Sequence, residues 1–152
     1  MRYLKRFEEY LKEGIVKKVN SDKERAKSLV IESERKLNSL KESLEKLGVK
    51  NENANDYLEY CYDIIMFLIR AELSLKGFNS SGQGAHEAEV SYLRVMGFSE
   101  NEVGFIDQMR YFRNGIMYYG KVFDKEYAEK VVDFTKRAYF KLKKLIKVEV
   151  VE

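Results

Sequence analysis

The chain has 152 residues, enough for about one domain, and its 45% apolar and 35% charged residues are typical of a folded domain with a charged surface. The composition, with no proline, nine glycines and one cysteine, excludes proline-rich, collagen-like and disulfide-stapled architectures. The net charge of +3 is unevenly spread, because residues 51–120 carry 5 Lys and Arg against 10 Asp and Glu while both flanking regions are basic.

The charge distribution by itself identifies no partner. Lysine-rich helix surfaces occur both on helices that only contact solvent and on helices that bind nucleic acid. The longest apolar run, Ile64 to Ile69, is much shorter than the ~18–20 residues that a membrane-spanning helix needs. The N-terminus is charged and lacks the apolar segment of a signal peptide, and the single Cys61 is typical of a buried thiol in a reducing compartment. We therefore expect a cytoplasmic protein without membrane contact.

Helical periodicity dominates the first half of the chain. A short helix is predicted at 2–12, before Gly14. A long helix is predicted at 22–47, where small or apolar residues recur at alternating spacings of four and three: Ala26, Val30, Ser33, Leu37, Leu40, Leu44 and Leu47. The segment 54–76 is apolar around most of its circumference, which predicts the central and most buried helix.

The second half begins with a predicted loop, GFNSSGQGA, at 77–85. Helices are then predicted at about 86–96 and 99–119, the second beginning with the capping-box sequence SENE, and a last helix starts after Asp124. No strand pattern is longer than the tail VEVV. These elements predict an all-α, single-domain antiparallel bundle of about five main helices over residues 1–152.

The familiar catalytic signatures are absent from the sequence. One histidine and one cysteine supply neither a histidine-rich metal cluster nor a zinc site, and no glycine-rich dinucleotide or P-loop motif occurs, so we expect no metal and no cofactor. His86 stands beside Glu87 and Glu89 at a predicted helix start. A local hydrogen-bonding role is the favoured interpretation there, over a titrating functional role.

The predicted helix 99–119 carries two stripes of side chains at helical spacing. The apolar stripe predicts the core face: Phe105, Met109, Phe112, Ile116 and Tyr119. The second stripe is expected to lie away from the core: Asp107, Arg110, Asn114 and Tyr118, with Arg113 nearby. Two interpretations stay open for it, a solvated face with an Asp107–Arg110 ion pair or an anion-binding face with arginine forks and flanking tyrosine rings.

The segment RYFRNGIMYYG, residues 110–120, resembles the signature of HEPN domains, which are α-helical bundles of prokaryotic toxin–antitoxin and defence systems. The family motif is an arginine, a polar residue that is often asparagine, a few further residues and then a histidine. Arg113 and Asn114 match the first two positions, and Tyr118 stands where the histidine occurs at the shortest spacing. The resemblance covers about residues 15–145.

This resemblance implies a homodimer in which the motif helices of two subunits meet. Active members of the family are metal-independent ribonucleases, so Arg113 would stabilise a phosphate, Asn114 would position it, and Tyr118 would stand in for the acid–base group. An imidazole titrates near ~6.5 and a phenol near ~10, so the tyrosine is the poorer base. Family members without the histidine are binders, and some have a nucleotidyltransferase partner.

The favoured prediction is a HEPN-like binding module in a toxin–antitoxin or defence context. It would be a homodimer that binds RNA, a nucleotide or a protein partner such as a nucleotidyltransferase through Arg110, Arg113, Asn114 and Tyr118. One alternative is a metal-independent ribonuclease with Arg113, Asn114 and Tyr118 as catalytic residues. The other is a structural bundle whose charged faces serve only solvation.

Overall fold

The computed structural model describes residues 3–148 and confirms the all-α prediction, since 74% of these residues are helical. Within the described residues there are six α-helices, two single-turn 3₁₀ helices and one small sheet. Their bounds in chain order are α1 Phe7–Lys12, β1 Val16–Lys18, α2 Lys23–Leu47, α3 Ala54–Lys76, β2 Phe78–Ser80, α4 Ala85–Ser91, α5 Glu100–Tyr119 and α6 Lys125–Leu145, with 3₁₀ turns at Asn51–Asn53 and Tyr92–Arg94.

Helix α2 forms as its apolar spacing predicts. The carboxylate of Asp22 caps its N-terminus by accepting a hydrogen bond from the Arg25 backbone N–H at 2.9 Å. The stripe is buried from Ala26 to Leu40 and packs against α3, whereas Leu47 at its far end is exposed. The stripe therefore fixes which face of this charged helix meets the core.

Helix α3 is the centre of the molecule, as its apolar composition predicts. It packs between α2 and α6, and it supplies many of the fully buried side chains, including Ile64, Ile65 and Leu68. Cys61 is buried in the same helix, where burial raises the pKa of its thiol to about 12. The hydroxyl of Ser33 donates a buried hydrogen bond of 2.7 Å to the Ile64 carbonyl, joining α2 to α3.

A two-stranded antiparallel sheet occupies part of the predicted loop at 77–85, and the sequence pattern does not reveal it. Val16 pairs with Ser80 and Lys18 with Phe78, so three residues on each side form the ladder. Gly77 makes the close approach possible, because a Cβ there would lie 2.6 Å from the Val19 carbonyl oxygen. The sheet ties the N-terminal segment to the end of α3.

Two helix boundaries differ from the predictions, and two predicted segments reach beyond the described residues. The helix predicted at 2–12 begins at Phe7, and the helix predicted at 86–96 ends at Ser91 and continues as a 3₁₀ turn. The first residues of the predicted 2–12 helix and most of the VEVV tail lie outside the described residues. No helix within residues 3–148 is both long enough and apolar enough to cross a membrane.

The predicted core face of α5 is correct in the first half of the helix and wrong at its end. Met109 is fully buried, and Phe105 and Phe112 are half-buried against aromatic rings of the α6 region. Tyr119 is 81% exposed, although its spacing placed it on the core stripe. A helical face is buried only where another element covers it, and the last turn of α5 extends beyond its neighbours.

The second stripe of α5 is also not the exposed face that its polarity predicts. Asp107 and Arg110 are buried, because α4 packs against this side of the helix. Asn114 is half-buried, and only Tyr118 is well exposed, at 73%. The stripe therefore begins in the interior of the protein and ends in solvent.

Candidate functional site

Arg110 is the centre of a buried ion cluster that joins α4 to α5. Its Nε donates a hydrogen bond of 2.8 Å to Asp107 Oδ1, and its Nη1 lies 3.7 Å from Glu87 Oε1. The side chain is only 5% exposed. The predicted Asp107–Arg110 pair is present, but it is an interior contact rather than a solvated one. Two carboxylates compensate this buried charge, so its first role is to hold two helices together.

Arg113 lies one turn further along α5 in different surroundings. Its Cζ stacks over the Tyr62 ring at 5.3 Å from the centroid, and its Nη2 lies 3.8 Å from Asp63 Oδ1, beyond hydrogen-bonding distance. Its Nε is buried and has no hydrogen-bond partner. The side chain is 23% exposed. The guanidinium is thus held in place by packing on an aromatic face, and its Nη groups, unlike the buried Nε, are open to a ligand and make no hydrogen bond within residues 3–148.

Asp63 cannot fully satisfy Arg113, because it serves a second cation. Its Oδ2 accepts a hydrogen bond of 3.0 Å from Lys36 Nζ. The Lys36 ammonium also lies over the Tyr60 ring, at 5.0 Å from the centroid. One carboxylate therefore faces two cations and forms a hydrogen bond with only one of them, Lys36.

The motif residues predicted from the sequence do not converge on one point. Arg113 and Asn114 are both partly buried on α5, whereas Tyr118 stands in solvent and is five residues from Arg113, about 140° around the helix. Arg110 points into the buried cluster. The structure thus leaves Arg113 as the motif group best suited to contact a ligand, with Asn114 beside it.

His86 belongs to the same neighbourhood, which no sequence pattern indicates. Partial burial lowers the pKa of this imidazole below its ordinary value, Glu89 opposes the shift, and the guanidiniums of Arg70, Arg113 and Arg110 add to it. The three arginines come from α3 and α5, far from His86 in sequence. His86 is therefore an electrostatic neighbour of the motif arginines.

Arg70 and Glu89 form a further ion pair that sequence reasoning missed. Arg70 Nε and Nη2 donate to the two carboxylate oxygens of Glu89 at 2.9 and 3.2 Å, a bidentate geometry that fixes α4 against α3. No periodic pattern connects residues 19 positions apart on different helices, so only the folded structure reveals the pair.

Arg113 is the cation of this neighbourhood best suited to bind an anion, because Arg70 and Arg110 already donate to carboxylates. Three guanidiniums and an imidazole lie near one another, and the hydroxyl of Tyr62 is buried without a hydrogen-bond partner between them. Burial raises the pKa of this phenol, so it stays protonated at neutral pH. Within residues 3–148 no three His, Cys, Asp or Glu side chains come together as ligands for a metal ion.

Comparison with protein-family models, curated proteins and solved structures found no match to this chain. The geometry of the charged cluster and the resemblance of residues 110–120 to the HEPN signature are accordingly the grounds on which a function is proposed.

Proposed function

We propose that this protein is a HEPN-like helical module that binds single-stranded RNA through Arg113, as a homodimer in a toxin–antitoxin or defence system. The observation that carries the proposal is the Arg113 guanidinium, which is three-quarters buried, is fixed over the Tyr62 ring and has no carboxylate at hydrogen-bonding distance. A phosphate oxygen supplies the charge-assisted hydrogen bonds that the protein does not.

Comparison among the three arginines of the cluster supports Arg113 as the ligand-binding one. Arg70 is engaged in a bidentate pair with Glu89, and Arg110 donates to Asp107 at 2.8 Å. Arg113 has only the longer contact with Asp63, which Lys36 shares. Arg110 and Arg113 each have one buried donor without a partner, but the Arg110 side chain is 5% exposed and that of Arg113 is 23% exposed, so Arg113 is the one that a ligand can reach.

Exposed aromatic rings on α5 favour single-stranded RNA over an isolated anion, and they lie about 120–160° around the helix from Arg113. Tyr111, Tyr118 and Tyr119 project from the same helix and are each more than half exposed. Unstacked bases pack on such rings whatever their sequence, and each stack contributes about 1–3 kcal/mol. In the proposed complex the strand therefore wraps around α5, with a phosphate at Arg113 and bases on these rings.

The proposed dimer uses the exposed end of α5 and the segment that follows it. Met117 and Val122 are both more than half exposed, close in sequence to the two exposed tyrosines at the helix end. A cluster of exposed apolar side chains is typical of an interaction site. A two-fold contact between copies is the commonest way to cover such a surface in a soluble protein.

Binding is favoured over cleavage because the proton-transfer group of the family is absent. The family histidine is replaced by Tyr118, which stands in solvent. A phenol exchanges protons at neutral pH far less readily than an imidazole does. The loss of a positioned acid–base group reduces rates by about 10²–10⁴-fold.

The direct test is the affinity of the protein for a fluorescent single-stranded RNA, without metal and at low salt. Arg113→Gln should weaken binding by about 10–100-fold, the range expected for lost charged hydrogen bonds. The matched control is Arg137→Gln, an exposed arginine of α6 that pairs with Asp133. Equal losses in the two variants would contradict the proposal, and rapid cleavage by the unmodified protein would favour the ribonuclease alternative.

A further inference from the structure

A polar cleft of about 510 Å³ opens between α2, α3, β2 and α4, outside the motif helix. Its charged and hydroxyl-bearing walls are formed by Arg25, Arg70, Ser80, Ser81, His86 and Glu89. This volume lies within the range of small-ligand sites. None of the residues of the HEPN-like signature lines the cleft, although Arg110 and Arg113 act on His86 electrostatically.

The ion pair in the cleft leaves one donor group of its arginine unused. Glu89 is the carboxylate among the lining residues, and Arg70 engages both of its oxygens through Nε and Nη2. The Nη1 group of Arg70 makes no hydrogen bond within the described part of the chain, which leaves its donors for another acceptor. The pair is close to neutral, so the net charge of the cleft is set by the other basic groups.

Arg25 supplies that net charge. It lies at the N-terminal end of α2 with an exposed side chain, and among residues 3–148 no carboxylate forms an ion pair with its guanidinium. Its neighbour Lys27, by contrast, is paired with Glu24. Two serine hydroxyls from the β2 end, Ser80 and Ser81, add short donors on the facing wall.

His86, on α4, is the remaining basic side chain of the cleft. The charged groups that face it are Arg70 from α3, Glu89 from its own helix, and Arg110 and Arg113 from α5. Partial burial is the main cause that disfavours the imidazolium, and the three arginines add to it while Glu89 opposes it. An anion bound beside His86 reverses this balance, because it offsets the arginines and stabilises the charged ring.

We propose that this cleft binds the phosphate group of a phosphomonoester, held by Arg25 and His86 with the serine hydroxyls, against the fixed Arg70–Glu89 pair. The group can belong to a free nucleotide or to the 5′ end of an RNA, since both present the same dianion. The apolar side chains of Leu29, Leu73 and Phe78 border the cleft and offer a surface for the rest of the ligand. This site does not depend on RNA binding at Arg113.

The single histidine of the chain makes the proposal directly measurable, because one imidazole Hε1 resonance reports on the cleft by NMR. The full-length protein is titrated with 5′-AMP, with adenosine and with a 5′-phosphorylated RNA dinucleotide, and the pKa of His86 is measured with and without each probe. AMP or the dinucleotide should raise that pKa, and adenosine should leave it unchanged. The tighter of the two phosphorylated probes identifies the source of the phosphate.

Matched variants show whether the cleft itself is responsible. Arg25→Gln should weaken the binding of the phosphorylated probe by about tenfold, the loss expected for one charged hydrogen bond, whereas Arg137→Gln on α6 should bind as the unmodified protein does. Circular dichroism confirms that both variants are folded. An unchanged His86 titration at millimolar AMP and dinucleotide would overturn the proposal, as would an equal response to adenosine or equal affinities of the two variants.

Discussion

Two arginines three residues apart on α5 have opposite surroundings. Arg110 is buried with Asp107 and Glu87 around it, and α4 covers that side of the helix. Arg113 is packed on the Tyr62 ring and shares one carboxylate with Lys36. Both residues are arginines on the same helix, so the difference comes from the side chains that the rest of the fold places around each guanidinium.

This comparison separates a charge with a structural role from the charge that we propose binds a ligand. A buried charge that meets two carboxylates stabilises the packing of two helices, and its removal leaves those carboxylates without a partner. A charge whose donors the protein leaves partly unused is stabilised further by a ligand. The predictions that follow test this difference.

The largest effect is expected from Arg110→Met. The substitution leaves the buried Asp107 and the partly buried Glu87 without their cation, so the free energy of unfolding should fall by about 3–5 kcal/mol. Urea denaturation measures it, with Arg113→Met as the matched variant. The second variant should lose much less stability, because its partner Asp63 keeps Lys36. Similar losses of unfolding free energy in Arg110→Met and Arg113→Met would contradict the contrast between the two arginines.

The next effect concerns the exposed end of α5. Met117→Glu places a charge in the proposed contact between copies, so the dimer should dissociate at least tenfold more readily, a change of about 1.4 kcal/mol. Light scattering over a concentration series measures this change. Val95→Glu is the control, because Val95 is exposed to a similar degree on a different element. An unmodified protein that is monomeric at tens of micromolar would contradict the proposed dimer.

A smaller effect of opposite sign is expected from Asp63→Asn. This substitution removes the carboxylate that Arg113 and Lys36 share, so both cations become more available and RNA should bind about threefold more tightly. Fluorescence anisotropy measures the affinity, and Asp133→Asn on α6 serves as the exposed control. Weaker binding by the Asp63 variant would mean that this carboxylate orients Arg113 rather than competing for it.

The smallest effect is in the pH dependence of stability. Because folding lowers the pKa of His86, the unfolded chain binds a proton more readily, and stability is lost as the pH falls from above the ordinary histidine pKa through the lowered one. His86→Gln should remove this contribution, which we expect to be below about 1 kcal/mol for a partly exposed ring. Urea denaturation of both proteins at several pH values measures the difference. Parallel curves of unfolding free energy against pH would contradict this contribution of His86.

Much of the fold can be predicted from residue spacing. The predicted helix at 22–47 is observed as Lys23–Leu47, and the apolar segment 54–76 is the central helix, because both signals are long and periodic. The strands β1 and β2 cannot be predicted in the same way. Each has three residues, too few for an alternating pattern, and their pairing depends on a contact across the fold.

The candidate site was less predictable, because burial on α5 depends on distant parts of the chain. Arg110 belongs to a polar stripe, and only the position of α4 shows that this stripe is buried. The approach of Arg70, Glu89 and His86 to the motif arginines likewise depends on how α3, α4 and α5 pack. Helical periodicity says which residues share a face, but it does not say what covers that face.

The salt dependence of RNA binding tests the central claim most directly. Each phosphate contact on a single strand contributes about 0.7 to the slope of log affinity against log salt concentration. Arg113→Gln should therefore lower the slope by about 0.7, while Arg137→Gln should leave it unchanged. The same slope for Arg113→Gln and the unmodified protein would show that Arg113 does not contact a phosphate.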